Sequence, residues 1–240
     1  MTICLPMRDL TPKPANNAVA AFLAQARSVA VRPTRAQGGA QGRLLFIMDA
    51  TASRQPSWDR ACQLMGDMFA ATAGLGGLAI QLAYWRGYME FAATPFLADS
   101  AELISRMSGV RCLGGQTQLL RALTHALAET SRQRINACVL VGDALEEPLD
   151  PIAHLAGQLG LRGTPVFAFH EGGEPASAEA FRQIAKLSGG AFAPFAARSA
   201  DALRDLLRAV AVFAAGGQSG LAALPGPAAQ RIALQLRGTK

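Results

Sequence analysis

The sequence offers little from which to build a redox, zinc or nucleophilic centre. Its four cysteines, Cys4, Cys62, Cys112 and Cys138, form no CxxC pair and no metal-like spacing. That excludes a zinc-ribbon type of site and a disulfide framework, and the expected compartment is a reducing one, the cytoplasm. Cys62 falls in a helical pattern and Cys138 in an apolar run, both places for small core residues. Histidine is scarce, with only His125, His154 and His170 to serve as a general base. No P-loop and no G-x-S-x-G motif occurs. Gly74, Gly76 and Gly77 end a helical pattern instead of opening one, so they do not make a phosphate loop. No uninterrupted apolar run reaches the ~20 residues that a membrane span needs. The opening residues MTICLPMRDL lack the apolar stretch of a signal peptide.

The net positive charge lies at the ends. The formal net charge is +6, yet Arg8, Lys13, Arg27, Arg32, Arg35 and Arg43 stand against Asp9 alone near the start. Arg231, Arg237 and Lys240 close the chain. The span between is slightly acidic, so a basic face for nucleic acid is not expected on the folded part. The composition is half apolar and 17% charged, which is that of a globular chain.

Strands and helices alternate. Leu44–Met48 is a buried strand, and Trp58 to about Ala73 a helix with Ser57 as N-cap and Met65 and Met68 in the core. Leu78–Trp85 and Tyr88–Ala92 form a hairpin about Arg86-Gly87, then Ser100–Met107 is a helix capped by Ser100. Thr117 opens a helix to about Arg132, and Asn136–Gly142 is a strand. A helix over Pro151–Gly160 precedes a strand over Thr164–Phe169 and a loop over Glu171–Pro175. A helix over Ala178–Leu187, a strand over Ala191–Phe195 and an apolar helix from Ala200 to about Ala215 complete the pattern. The expected fold is α/β: a doubly wound, mostly parallel six-stranded sheet with one antiparallel edge strand and helices on both faces. Residues 1–42 read as an extension with one helix, from Asn16 or Asn17 to about Val31, and a flexible linker; 43–215 read as the domain, and 216–240 as a loosely held tail.

Two of these apolar strands run into a carboxylate. The first ends in MDATAS, placing Asp49, Thr51 and Ser53 on one turn. The other ends in VLVGDALEE, at Asp143. A lone buried carboxylate is costly unless a cation or a donor meets it. The paired glycines of CLGGQT bring Thr117 close to its neighbours. In such sheets ligands bind at the carboxyl ends of strands, where strand order reverses. Oxygen donors alone suit Mg²⁺, Mn²⁺ or Ca²⁺ better than zinc. The same side chains are also common helix caps, Thr117 included. Glu146 and Glu147 read as solvated helix-start residues.

The three pieces together resemble the von Willebrand factor A (VWA) domain family, across roughly residues 43–215. That family carries a metal-ion-dependent adhesion site (MIDAS), D-x-S-x-S, followed by a distant Thr and then an Asp. Here Thr51 replaces the middle Ser and keeps the hydroxyl. The resemblance implies that Asp49, Thr51, Ser53, Thr117 and Asp143 hold Mg²⁺ (or Mn²⁺/Ca²⁺) incompletely, leaving a position for the Asp or Glu of a partner protein. It further implies a bacterial, intracellular adaptor working beside an ATPase or a chaperone system, and no enzymatic activity.

Two other functions compete with this one. A metal-assisted phosphohydrolase would use the same oxygens with a base such as His170, at a strand end. Nucleic-acid binding would use the basic termini.

Overall fold

The computed structural model describes residues 41–196 and 200–224, so the expected N-terminal helix, Cys4 and the RIALQLR segment lie outside the described residues. Strand β1 (Gly42–Asp49) is almost wholly buried. It lies between β2 (Leu78–Arg86) and β4 (Ala137–Gly142), parallel to both. The hairpin partner β3 (Glu90–Ala93) runs antiparallel to β2 at one edge. On the other side β5 (Val166–Glu171) and β6 (Phe192–Phe195) continue the parallel order. The six-stranded sheet therefore reads β3-β2-β1-β4-β5-β6, the expected mixed sheet with one antiparallel edge strand.

Side-chain alternation along β1 divides the core. Leu44, Phe46 and Met48 point to one face, with α1 (Gln55–Thr72), α2 (Ser100–Ser108) and α6 (Ala200–Ala222). Leu45 and Ile47 point to the other, with α3 (Leu119–Arg132), α4 (Leu149–Leu161) and α5 (Pro175–Ser188). A strand buried on both faces needs a continuous apolar run, which is why LLFIM shows no polar alternation. Each fully buried Leu, Ile or Phe there contributes about 1.5–3 kcal/mol of transfer free energy.

Several local expectations shift. α1 begins at Gln55 with Pro56 in its first turn, and Arg54, not Ser57, occupies the cap position. The Ser57 hydroxyl is drawn instead to Glu171. α2 is capped by Asp99, whose Oδ1 accepts the Glu102 N–H at 2.7 Å, so the cap lies one residue before Ser100. Glu171 is the last residue of β5 and is buried, not part of a loop. The terminal helix continues past 215 to Ala222, with a non-helical Gly217 (φ 63°, ψ −157°) inside it. Buried Leu221 ties this last turn to the core.

Candidate functional site at the carboxyl edge of β1 and β4

From β1 the chain passes to β2 on one side of the sheet, and later returns to β4 on the other. Strand order thus reverses between β1 and β4, and their carboxyl ends border the crevice where such sheets bind ligands. Asp49 is the last residue of β1, and Asp143 directly follows β4. Met48 pairs with Val141, which sets Asp49 level with Gly142. A Cβ added to Gly142 would meet Asp49 Cβ at 3.8 Å and press on Phe181 at 3.0 Å, so the absence of a side chain there leaves room beside the Asp49 carboxyl.

Asp49 is only 1% exposed. Its Oδ1 accepts the backbone N–H of Thr51 at 2.7 Å, the link that turns the chain at the strand end. Burial pushes its carboxyl up to about 6; the Thr51 hydrogen bonds pull it back, nearby Asp143 raises it further and Arg54 lowers it. A carboxyl so buried favours its neutral form unless a positive charge or a donor meets it. Thr51 and Ser53 lie on the tight turn after it, within or beside the 3₁₀ segment Ala52–Arg54; Thr51 is half-buried and Ser53 exposed.

The Thr117 loop is brought to the same edge by backbone pairing. Leu113 N–H donates to Ala50 carbonyl at 3.0 Å, and Gly87 N–H donates to Leu113 carbonyl at 3.2 Å. Gly115 packs so tightly on the hairpin turn that an added Cβ would fall 2.0 Å from the Gly87 carbonyl oxygen. Thr117 is buried and locked reciprocally to the β4–α4 loop. Its N–H donates to the Glu146 carboxylate at 2.9 Å, and its hydroxyl oxygen accepts the Glu146 N–H at 3.1 Å. Thr117 is not the cap of α3. That role falls to Glu147, whose carboxylate receives Leu119 N–H at 2.5 Å and Leu120 N–H at 3.0 Å. Glu146 and Glu147 are therefore structural acceptors from across the crevice, not freely solvated helix-start residues. The fold thus gathers the three loops bearing Asp49, Thr51, Ser53, Thr117 and Asp143 along one edge.

Two residues that sequence reasoning passed over sit at its centre. Arg54, 3% exposed, forms an ion pair with Glu171 and reaches Asp143 Oδ2 with Nη1 at 3.4 Å. Glu171 also accepts the Ser57 hydroxyl at 2.5 Å. A readable signal existed for Glu171, since TPVFAFHE is a third apolar strand ending in a carboxylate.

The histidines are otherwise engaged. His170 is fully buried, donates from Nε2 to the Asp143 carbonyl at 3.0 Å and packs edge-on against Phe181. Burial lowers its pKa, which favours the neutral ring. His125 meets Gln81 Oε1 at 3.2 Å beside Phe91, and His154 meets Gln158 on α4. Beside Thr117 lies a cavity of about 450 Å³, walled by Tyr88, Met89, Leu120 and Arg121 among others. Tyr88 and Met89 are strongly exposed apolar residues there. Among the described residues, no cluster of three or more His, Cys, Asp or Glu is arranged to hold a metal, so any ion here would depend on hydroxyl oxygens as well. Also among the described residues, no helix is long and apolar enough to cross a membrane.

The architecture is that of a VWA-like, Rossmann-like α/β domain. Among solved structures the chain is similar to von Willebrand factor type A from Catenulispora acidiphila, with 16% identity, a TM-score of 0.58, and coverage of 72% of this chain and 42% of that one. It is similar to proximal thread matrix protein 1 from the mussel byssus with a zinc-occupied MIDAS motif, at 14% identity and TM-score 0.54, over 72% and 46% of the two chains. It is also similar to the SpRpn10 VWA domain, at 10% identity and TM-score 0.52, over 74% of this chain and 98% of that one. The chain spans less than half the length of the first two. At these identities the likeness is one of fold. No protein-family model and no curated protein matches the sequence.

Proposed function

We propose that this chain is a metal-dependent protein-interaction module. In this reading Asp49, Thr51, Ser53, Thr117 and Asp143 hold a divalent cation, Mg²⁺ or else Mn²⁺ or Ca²⁺, and the cation takes up an Asp or Glu side chain of a partner protein. The observation that carries it is the buried Asp49 carboxyl, pushed up to about 6 at the point where strand order reverses, with Asp143 beside it. The donor set fits such an ion: it consists of hard oxygens, and three of its five donors are uncharged hydroxyls, so the ion is not saturated with carboxylates and can take up one more.

The chain's own residues do the positioning. Thr51 N–H fixes the Asp49 carboxylate by its Oδ1. The reciprocal Thr117–Glu146 pair leaves the Thr117 hydroxyl oxygen bound from one side only, with a lone pair for an ion. Tyr88, Met89 and Leu120 offer apolar surface to whatever flanks the incoming acid. When bound, the cation supplies an electrophilic site for a carboxylate. A role as a bacterial, cytoplasmic adaptor for an ATPase or a chaperone system belongs to this proposal as well.

The phosphohydrolase reading lacks a comparable observation, because His170 spends Nε2 on the Asp143 carbonyl and is sealed from solvent. The test is a display selection on the purified chain with random peptides in Mg²⁺. Enrichment of Asp- or Glu-bearing peptides, lost on chelation and in Asp49→Ala, is the expected result. Selected peptides that bind equally in EDTA contradict the proposal.

A further inference from the structure

A buried arginine at the edge of a cation site needs a reason. Arg54 occupies the N-cap position of α1 without a side-chain capping bond, where the helix dipole already disfavours positive charge. It pairs closely with Glu171 and loosely, at 3.4 Å, with Asp143. Its Nε is buried without an acceptor. Its charge also reaches Asp49. Three carboxylates, Asp49, Asp143 and Glu171, thus face one guanidinium when all are ionised. The surplus of two negative charges is the charge of one divalent ion.

Resting on the metal reading above, we propose that Arg54 is a built-in counter-cation that shares Asp143 with the divalent ion. Without metal it pairs with Asp143 and Glu171 together. When metal arrives, Asp143 turns to the ion and Arg54 keeps Glu171, the nearer of its two partners. The guanidinium therefore holds the ion's affinity below what the oxygens alone would give. It also spares the metal-free fold an uncompensated carboxylate cluster.

The test is Mg²⁺ titration calorimetry on the full chain, with thermal unfolding in EDTA as a second readout. Arg54→Gln is compared with the double variant Arg54→Gln/Glu171→Gln, which keeps the net charge of the cluster and serves if the single variant does not fold. The double variant is expected to bind Mg²⁺ about tenfold more tightly than the natural chain, the scale of one charge-assisted hydrogen bond. Arg54→Gln, where it folds, is expected to bind more tightly still and to melt lower in EDTA than the double variant. Binding by the double variant where the natural chain shows none also supports the proposal. Equal or weaker binding by the double variant overturns it while leaving the metal reading standing. No Mg²⁺ heat and no Mg²⁺-dependent melting shift in either protein overturns both.

Discussion

Asp49→Asn removes the buried charge and keeps the shape. The carboxyl titrates near 6 in the fold against an ordinary 3.8, chiefly because burial disfavours its ionised form. At ~1.36 kcal/mol per pKa unit, keeping that carboxylate ionised and metal-free costs the fold ~3 kcal/mol. The sign follows from the raised value. The contribution to stability is complete below pH 3.8 and is lost as pH climbs through about 6. In EDTA, the natural chain should therefore melt lower at pH 7.5 than its other groups dictate. Asn retains the Oδ1 acceptor for Thr51 N–H and carries no charge. Asp49→Asn in EDTA should be more stable than the natural chain at pH 7.5, by up to ~6–12 °C in melting midpoint for a domain of this size. Near pH 4 the two should coincide. Excess Mg²⁺ should raise the natural chain's midpoint at pH 7.5 and leave the variant's unmoved. Differential scanning calorimetry at both pH values, with and without Mg²⁺, checks all of this. A variant that is no more stable at pH 7.5 in EDTA refutes the claim that burial costs the Asp49 carboxylate more than Thr51 and Arg54 return.

Gly115→Ala should push the Thr117 loop off the hairpin turn, because the new Cβ would fall 2.0 Å from the Gly87 carbonyl oxygen. A loss of ~1–3 kcal/mol in urea unfolding is expected, together with weakened Mg²⁺ uptake by calorimetry. Glu147→Ala strips the capping carboxylate from Leu119 and Leu120. It should cost about 1–2 kcal/mol by denaturant midpoint without shifting the Mg²⁺ affinity as far as Asp49→Ala does.

The layered fold was readable because burial on both faces leaves a strong mark: LLFIM and ACVLVG are too short for helices and too apolar for exposed strands. The hairpin was readable near Arg86-Gly87, but its turn falls at Gly87–Met89, with Gly87 at φ 55°, so Arg86 still pairs with Glu90 and the return strand starts at Glu90, not Tyr88. Two strands running into Asp pointed to one edge of the sheet, and β1 and β4 do lie side by side there. What escaped depends on partners distant in sequence. Ser57 looked like a helix cap by local rules, but its hydroxyl finds Glu171, 114 residues on. Glu147 caps α3 from 28 residues beyond Leu119, where the sequence offered only Thr117 for the role. Arg54 carries no local sign of burial, because arginine is seldom fully buried unless paired, and its partners Asp143 and Glu171 come much later in the chain. The last helix was expected to end near Ala215 with a loose tail after it, yet the chain returns to helix after Gly217 and buries Leu221.

An anomalous difference map from crystals grown in Mn²⁺ tests the centre of the account. One strong peak is expected between the Asp49 carboxylate and the hydroxyls of Ser53 and Thr117, at roughly 2.0–2.3 Å from its protein oxygens. Well-diffracting crystals in saturating Mn²⁺ with no peak at that edge, or with the metal held elsewhere, contradict it.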